Sequence, residues 1–169
     1  MTRSGPTSRR RVLASLGTGI AAVAAGCTGS GGIGGEPTYE NGVVGEINTS
    51  GNASRSATEM AAAAALADQQ SSTSVTPLNA LAVTDHEFVV KDGYLGSTIQ
   101  GTVENSGSSR IQIVEVRTRV YDDSDVLLGR YLASTGDLNA GSMWAFQVIV
   151  LESPSDVASY DITVLGTPT

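Results

Sequence analysis

Apolar and polar residues alternate with a period of two along the chain between residues 78 and 165. Successive side chains of a β-strand point to opposite faces, so this alternation predicts strands that each have one apolar face. The predicted inward residues are Ile99, Gly101 and Val103, then Val114, Val116 and Val120, then Trp144, Phe146, Val148 and Val150, then Ala158, Tyr160, Ile162 and Val164. Between the three valines of the second group, Glu115, Arg117 and Arg119 are predicted to face water.

Turn-forming residues separate these alternating segments. Breaks are predicted near Asp92–Gly93, Asn105–Gly107, Asp122–Asp125, Asn139–Gly141 and Pro154–Asp156. Two further strands are predicted at 81–90, with a break near Asp85 and His86, and at 126–133. A sheet with one apolar face needs a second sheet to cover that face. The sequence therefore predicts an all-β fold, a β-sandwich of six to seven strands over 78–165, followed by a tail at 166–169.

The segment before this domain, residues 27–77, has a different composition. It is rich in glycine, serine and alanine, and such a segment buries too little apolar surface to offset its chain entropy. We therefore expect a flexible tether. Within it, Ser56 and Glu59 have the spacing of a capping box before an alanine-rich run, which predicts a short helix over 57–69. Whether this helix docks on the sandwich is left open by the sequence.

Residues 1–26 have the three parts of a secretory signal: arginines, a short apolar run and small residues. The run is shorter than the roughly 20 residues of a membrane-spanning helix. Arg9 and Arg10 lie in a frame that resembles the twin-arginine export signal, with Val12 where that pattern more often has Phe. The ending Ala24-Ala25-Gly26-Cys27 resembles a lipobox. This resemblance implies that the Cys27 thiol is lipidated; the alternative is an ordinary thiol beside an ordinary signal.

Charge narrows the choice of partner and medium. The chain has 10 basic and 17 acidic residues, and removal of residues 1–26 takes away four arginines, which leaves a net charge of −11. Nucleic acids and anionic lipid surfaces need clustered cations, so neither is expected as a partner. An acidic, lysine-poor surface suits concentrated salt, where like-charge repulsion is screened. This composition is similar to that of proteins from halophilic archaea; an acidic mesophilic protein is the alternative.

Three runs of the predicted domain, Gly101–Gly107, Val116–Asp122 and Leu138–Phe146, resemble the FxLYD domain. The resemblance extends over nearly all of 80–165. It implies an immunoglobulin-like sandwich in a secreted, lipid-anchored protein, and it implies no catalytic residue.

The FxLYD signature is kept in part. Tyr121 and Asp122 match it, whereas Thr118 stands where Phe is usual and Val120 where Leu is usual. In the hairpin that follows, Asp125 takes the place of the usual Gly. Aspartate tolerates the left-handed conformation less well than glycine does.

Catalytic motifs are scarce in this sequence. It contains one histidine, His86, and one cysteine, Cys27, so a structural zinc site of four Cys and His ligands is excluded. His86, between Asp85 and Glu87, is either a lone base or a solvated residue at a strand break. No Gly-x-Ser-x-Gly elbow and no phosphate-binding loop are found. We therefore expect a protein that is not an enzyme and that needs no cofactor.

The remaining candidate sites are for binding or modification. Asp122, Asp123 and Asp125 could ligate Ca²⁺ with hard carboxylate oxygens, although acidic turns also occur by chance. Arg117, Arg119 and Tyr121 share one strand face and could bind carboxylate or sugar groups, or could form cross-strand ion pairs. The remaining candidates are the glycosylation sequons at Asn48 and Asn52.

Together these features predict a non-catalytic binding or structural module on the outer face of the cytoplasmic membrane. It is tethered through lipid on Cys27 and meets an unknown extracytoplasmic protein or glycan. The alternative is an accessory ligand-binding lipoprotein, with calcium as one candidate ligand, that serves a transporter, a redox chain or cell-wall assembly.

Overall fold

The computed structural model describes residues 35–45 and 54–168. In this part of the chain the regular elements are strands β1 Glu40–Val43, β2 Leu81–Lys91, β3 Gly96–Asn105, β4 Ile111–Tyr121, β5 Leu127–Leu138, β6 Met143–Ile149 and β7 Ser159–Pro168, and helix α1 Ala57–Ala67. Short 3₁₀ turns lie at Gly93–Leu95 and Pro154–Asp156. None of the helical segments in 35–45 and 54–168 is long and apolar enough to cross a bilayer.

The strands form two antiparallel sheets that face each other. One sheet has the order β1-β7-β4-β5 and the other has the order β2-β3-β6. The connections β3–β4, β5–β6 and β6–β7 each pass from one sheet to the other. The predicted all-β, immunoglobulin-like β-sandwich of six to seven strands is therefore confirmed.

The core lies between the sheets, where the alternation places it. Val114, Val116 and Val120 of β4 are each 0% exposed. Their side chains pack in one cluster with residues of the facing sheet, which include Ile99, Val103, Phe146 and Val148. Trp144 is half-buried and packs at the margin of this cluster. Ala158, predicted to face inward, is exposed because β7 begins one residue later.

The predicted break near Asp85 is a β-bulge. The register between β2 and β3 shifts between Val83 and Asp85, while both strands continue on either side. Gly101 of β3 lies beside this bulge, and a Cβ atom there would be 2.1 Å from the carbonyl oxygen of Asp85. The close backbone approach explains why the alternating pattern has a glycine at an inward position.

The prediction of a tether over 27–77 is wrong for the part of that range that the structure describes. Residues Glu40–Val43 form β1, which pairs with β7 from Val43↔Ser159 to Glu40↔Ile162. All described residues belong to one compact unit. The composition misled because backbone hydrogen bonds to β7, rather than apolar side chains, hold this short strand.

Helix α1 begins as predicted and ends earlier than the predicted residue 69. Ser56 is its N-cap, and the Glu59 side chain completes the capping box. The helix docks on the sandwich: Ala63 is 0% exposed.

Just before the cap, the Arg55 guanidinium donates to the carbonyl oxygens of Leu95 at 2.6 Å and Val150 at 2.8 Å. Burial lowers the pKa of Arg55.

The C-terminal boundary also differs from the prediction. β7 continues to Pro168, so that residues 166–168 belong to the sheet and not to a tail. Gly166 pairs with Val114 on one side and with Thr76 on the other. Likewise β5 extends five residues beyond the predicted end at 133, to Leu138. Strand alternation weakens near these ends, and tertiary pairing decides where the strands stop.

Candidate functional site

The outward side chains of β4 form the centre of the candidate site. Arg119 lies between Asp161 of β7 and Arg130 of β5 in cross-strand register. Arg117 lies between Thr163 and Leu132 in the next row. Because directly opposed residues point to the same face of a sheet, the outer face of the four-stranded sheet carries three arginines side by side.

Asp161 receives most of the hydrogen bonds in the first of these rows. Arg119 donates hydrogen bonds to this carboxylate through Nε, which is 2.8 Å from Oδ1, and through Nη2. The Tyr121 hydroxyl donates to Oδ2 of Asp161 at 3.1 Å. These bonds raise the pKa of Arg119, while burial and the Asp161 charge raise the pKa of the Tyr121 hydroxyl. The Tyr39 ring covers Arg119, with its centroid 3.7 Å from the guanidinium carbon, which is a cation–π contact.

A covering segment, residues 69–76, lies over the second half of the same face. The Ser72 amide donates to Oε2 of Glu115 at 2.9 Å, and Arg117 donates to the Ser72 carbonyl oxygen at 3.0 Å. Arg117 also forms an ion pair with Glu115 through Nε. Thr76 exchanges two backbone hydrogen bonds with Gly166, of 3.0 and 2.9 Å. The segment is thereby fixed across β4 and β7.

The prediction that Glu115 faces water is therefore wrong, since only 1% of its surface is exposed. The strand alternation assigns its side chain to the outer face correctly. The covering segment then buries that face, and the Arg117 guanidinium and the Ser72 amide take the place of water at the Glu115 carboxylate.

An open cleft of about 400 Å³ remains between the covering segment, the end of α1 and the sheet. Its volume lies within the range of small-molecule sites, about 300–1,000 Å³. Three guanidinium groups and the Tyr39 ring are among the groups at its surface, and the residues that line it are Tyr39, Ala67, Gln69, Ser71, Arg117, Thr118, Arg119, Arg130, Tyr131 and Leu132.

Arg130 differs from the other two arginines of the cleft. Its side chain is exposed, and it forms an ion pair with no carboxylate in 35–45 or 54–168. The residue directly opposite it is Arg119, whose charge is already matched by Asp161. Like charges directly opposed across two strands destabilise a sheet. The cleft thus carries one positive charge more than its own carboxylates balance.

Tyr131 borders the cleft at β5, but its side chain lies on the opposite face of that strand from Arg130: it stands opposite the buried Thr118, and its ring packs against the core. Burial raises the pKa of its hydroxyl well above the ordinary value, and a hydrogen bond to Glu152 raises it further. Glu152 Oε2 is buried and without a hydrogen-bond partner among the described residues. The Tyr131 hydroxyl is therefore a neutral hydrogen-bonding group at physiological pH.

The predicted binding face is thus brought together, in an altered form. Arg117 and Arg119 line the cleft, and both are about one-third exposed, at 28% and 33% of their side chains. Of the cross-strand ion pairs that the sequence offered as the alternative, Arg119–Asp161 is present, whereas Arg117 pairs with Glu115 of its own strand. Tyr121 does not line the cleft and instead orients Asp161.

The predicted calcium site is not formed. The described residues contain no group of three or more His, Cys, Asp and Glu side chains placed to hold a metal ion. Asp122 instead accepts the backbone N–H groups of Ser124 and Val126, both at 2.9 Å, and so closes the β4–β5 turn. Asp123 accepts the hydroxyl of Ser124, and Asp125 adopts a positive φ of 60°. The acidic run therefore forms the turn of the β4–β5 hairpin, and the Asp122 carboxylate holds its backbone amides.

His86 is not a solvated residue at a strand break. Its Nδ1 and the Tyr160 hydroxyl share a hydrogen bond of 2.8 Å, and the two rings meet edge to face at 5.5 Å. Burial raises the pKa of Tyr160 to about 12. The pair bridges β2 and β7 and so links the two sheets.

Several predicted residues lie outside the described ranges. These are the lipidation site Cys27, the export arginines Arg9 and Arg10, and the sequon residues Asn48 and Asn52.

Sequence reasoning missed Arg130, Asp161 and Tyr39. Asp161 and Arg130 each stand at an outward position of a predicted strand, but only the register of β4 against both neighbours places them beside Arg119. Tyr39 lies a few residues before Val43-Val44. This short apolar run is the signal in the sequence that could have indicated a strand within the predicted tether.

Comparisons with known proteins give a distant likeness. No family model matches the chain. The uncharacterized protein MJ0360 of Methanocaldococcus jannaschii is 28% identical over 155 residues, which make up 90% of this chain and 90% of that protein. The crystal structure of a DUF1425 family member from Shewanella sp. pv-4 covers 57% of this chain and 92% of its own, with a TM-score of 0.39 and 13% identity.

Proposed function

We propose that this protein is a non-catalytic, lipid-anchored binding module on the outer face of the cytoplasmic membrane, and that the arginine-lined cleft is its binding site. The observation that carries the binding role is the cleft itself, which combines an unbalanced positive charge with a volume suited to a small ligand. The anchor is proposed from the lipobox-like sequence that ends at Cys27 and from the resemblance to FxLYD domains of secreted lipoproteins.

The chemistry of the lining supports binding over proton transfer. A guanidinium group stays protonated throughout the physiological pH range, and the bond to Asp161 raises the pKa of Arg119 further. Side chains whose protonation is fixed near neutral pH serve as donors and as a charged surface, and poorly as general bases.

The architecture supports a rigid site. β4 and β7 hold Arg119 and Asp161, and Tyr39, directly before β1, lies over Arg119. The covering segment places Ser72 against Arg117. Binding groups held by strands lose little conformational freedom when a ligand arrives. The chain is acidic overall, and among its described residues this cleft is a surface region with excess positive charge, which suits an anion.

The anchor is tested by fractionating cells that express the full chain or its Cys27→Ala variant, with Thr28→Ala as the matched control. Wild type and Thr28→Ala are expected in the membrane fraction, with a lipid mass on Cys27 and residues 1–26 removed. Cys27→Ala is expected to lose the lipid mass and to leave the membrane. Recovery of an unmodified thiol and an intact leader on wild-type protein would contradict the anchor.

The binding role is tested on the cell surface with a photo-crosslinking amino acid at Gln69, at the rim of the cleft. Wild type is expected to give a discrete crosslinked species that Arg130→Gln abolishes and that Arg110→Gln leaves intact. Arg110 is the control because it pairs with Asp137, away from the cleft. Identical crosslinking in all three proteins, or none in any, would count against a binding function of this cleft.

A further inference from the structure

Three of the six basic residues in the described part of the chain line a single cleft, although the chain as a whole has a charge of −7. The charges of two of them are neutralised by ion pairs with buried carboxylates, Arg117 with Glu115 and Arg119 with Asp161. Those carboxylates are 1% and 7% exposed, so the groups that reach the cleft surface are the guanidinium groups. The third, Arg130, adds the charge that has no counterpart.

The geometry leaves donors unused. Arg119 bonds Asp161 through Nε and Nη2, and Arg117 bonds Glu115 and Ser72 through Nε and Nη2. The Nη1 group of each has no acceptor among the described residues. Arg130, directly across from Arg119, contributes a complete guanidinium fork, and paired Cβ atoms of such neighbours lie only about 5 Å apart. An acceptor placed between Arg119 and Arg130 would meet donors from both.

We propose that this cleft binds a small organic monocarboxylate, with its carboxylate between Arg119 and Arg130 and its body against Tyr39 and Leu132. This inference rests on the proposed binding function and names its ligand class. A carboxylate suits the bidentate geometry of a guanidinium fork.

Charge and size decide between this ligand class and other anions. The single excess charge of the cleft matches one carboxylate, whereas a phosphate group carries about −1.5 to −2, which exceeds the one positive charge that Glu115 and Asp161 leave unbalanced. A halide ion fills little of a cleft of about 400 Å³. The remaining space is bordered by Tyr39, Leu132, Gln69 and Ser71, which suit a body about as large as one sugar ring or one amino-acid side chain.

Binding is measured by isothermal titration of the purified full chain at one fixed salt concentration, in two arms. Glucuronate is the sugar acid and N-acetylleucine is the amino-acid acid, and methyl glucoside and N-acetylleucine amide are their neutral counterparts. We expect at least one acid to bind and its neutral counterpart to bind at least about tenfold more weakly. The arm with the higher affinity identifies the body that the cleft prefers.

Variants then assign the binding to the cleft. Arg130→Gln is expected to weaken the acid about tenfold or more, Arg130→Lys to weaken it less, and Arg110→Gln to leave it unchanged. Arg130→Gln removes one of two opposed like charges, so its unfolding midpoint without ligand is expected to equal or exceed that of the wild type. A fall in that midpoint would overturn the charge argument.

Other outcomes separate the two proposals. If neither acid binds, or if acid and neutral counterpart bind equally, while Arg130→Gln still abolishes the surface crosslink, the monocarboxylate inference is wrong and the binding module stands. If the crosslink is also insensitive to Arg130, both proposals fall.

Discussion

Gly42 lies at the point where β1 meets the buried ring of Tyr160, and it offers a direct test of the fold around the cleft. A Cβ atom at Gly42 would be 2.2 Å from Cζ of Tyr160, whereas carbon atoms in ordinary contact lie about 3.5–4.0 Å apart. The ring cannot simply rotate aside, because its hydroxyl is bonded to His86. Either β1 or the ring must therefore move by more than about 1 Å.

The expected cost of Gly42→Ala follows from this clash. Overpacking of a well-packed site typically costs about 1–3 kcal/mol. The cost has an upper limit, which is the free energy that docks β1, since the strand can leave the sheet while the rest of the sandwich persists. Gly45→Ala is the matched control because nothing lies within 4 Å of its Cβ position. We expect the control to change stability by about 0.5 kcal/mol or less.

Two measurements check this prediction. Urea titration is expected to show a loss of about 1–3 kcal/mol for Gly42→Ala relative to Gly45→Ala. Hydrogen exchange is expected to show faster exchange in residues 36–45 of Gly42→Ala, with β3 and β6 unaffected. Because Tyr39 directly precedes β1, carboxylate binding in the cleft should weaken at the same time. Equal stability and equal exchange in the two variants would refute the pairing of β1 with β7.

The remaining predictions concern other parts of the molecule. Arg55→Met removes a partly buried guanidinium that bonds several carbonyl oxygens, and it should lower the free energy of unfolding by about 1–3 kcal/mol. The control Arg110→Met removes an exposed guanidinium and should lower it by less than about 1 kcal/mol. Equal losses for the two variants in a urea titration would contradict this prediction. Tyr160 has a folded pKa of about 12 and an unfolded pKa near 10, so the folded state keeps this proton longer and stability falls between pH 10 and pH 12. Tyr160→Phe should flatten that fall by up to about 2–3 kcal/mol, and a slope equal to that of wild type would exclude Tyr160 as its source. For the whole chain, the thermal midpoint should rise steeply from dilute buffer to molar KCl, and a flat dependence would argue against the halophilic interpretation.

The alternating pattern predicted the interior of the sandwich well, because one buried face leaves a period of two in the sequence. Val114, Val116 and Val120 were assigned inward and are fully buried. The same pattern assigned Glu115 to the other face but could not predict its burial, which depends on the covering segment. Period alone reports which face a residue occupies, and not what lies on top of that face.

The site was less predictable because it depends on register and on weak local signals. Arg119 was identified from its strand, but its neighbours Asp161 and Arg130 come from strands far away in the sequence. The acidic turn misled for a different reason. Asp122 makes local bonds to backbone amides, and an aspartate that caps a turn has the same sequence appearance as one that ligates a metal.

The pairing on the outer side of β7 bears on how the protein avoids self-association. β1 covers this strand from Ser159 to Ile162, and Thr76 covers it again at Gly166. A shortened chain that begins at residue 78 would leave the amide and carbonyl groups of β7 open along that whole side. Such a row is a template for intermolecular β-pairing. Part of the segment that the sequence predicted to be a flexible tether therefore covers the edge of β7 and prevents this intermolecular pairing.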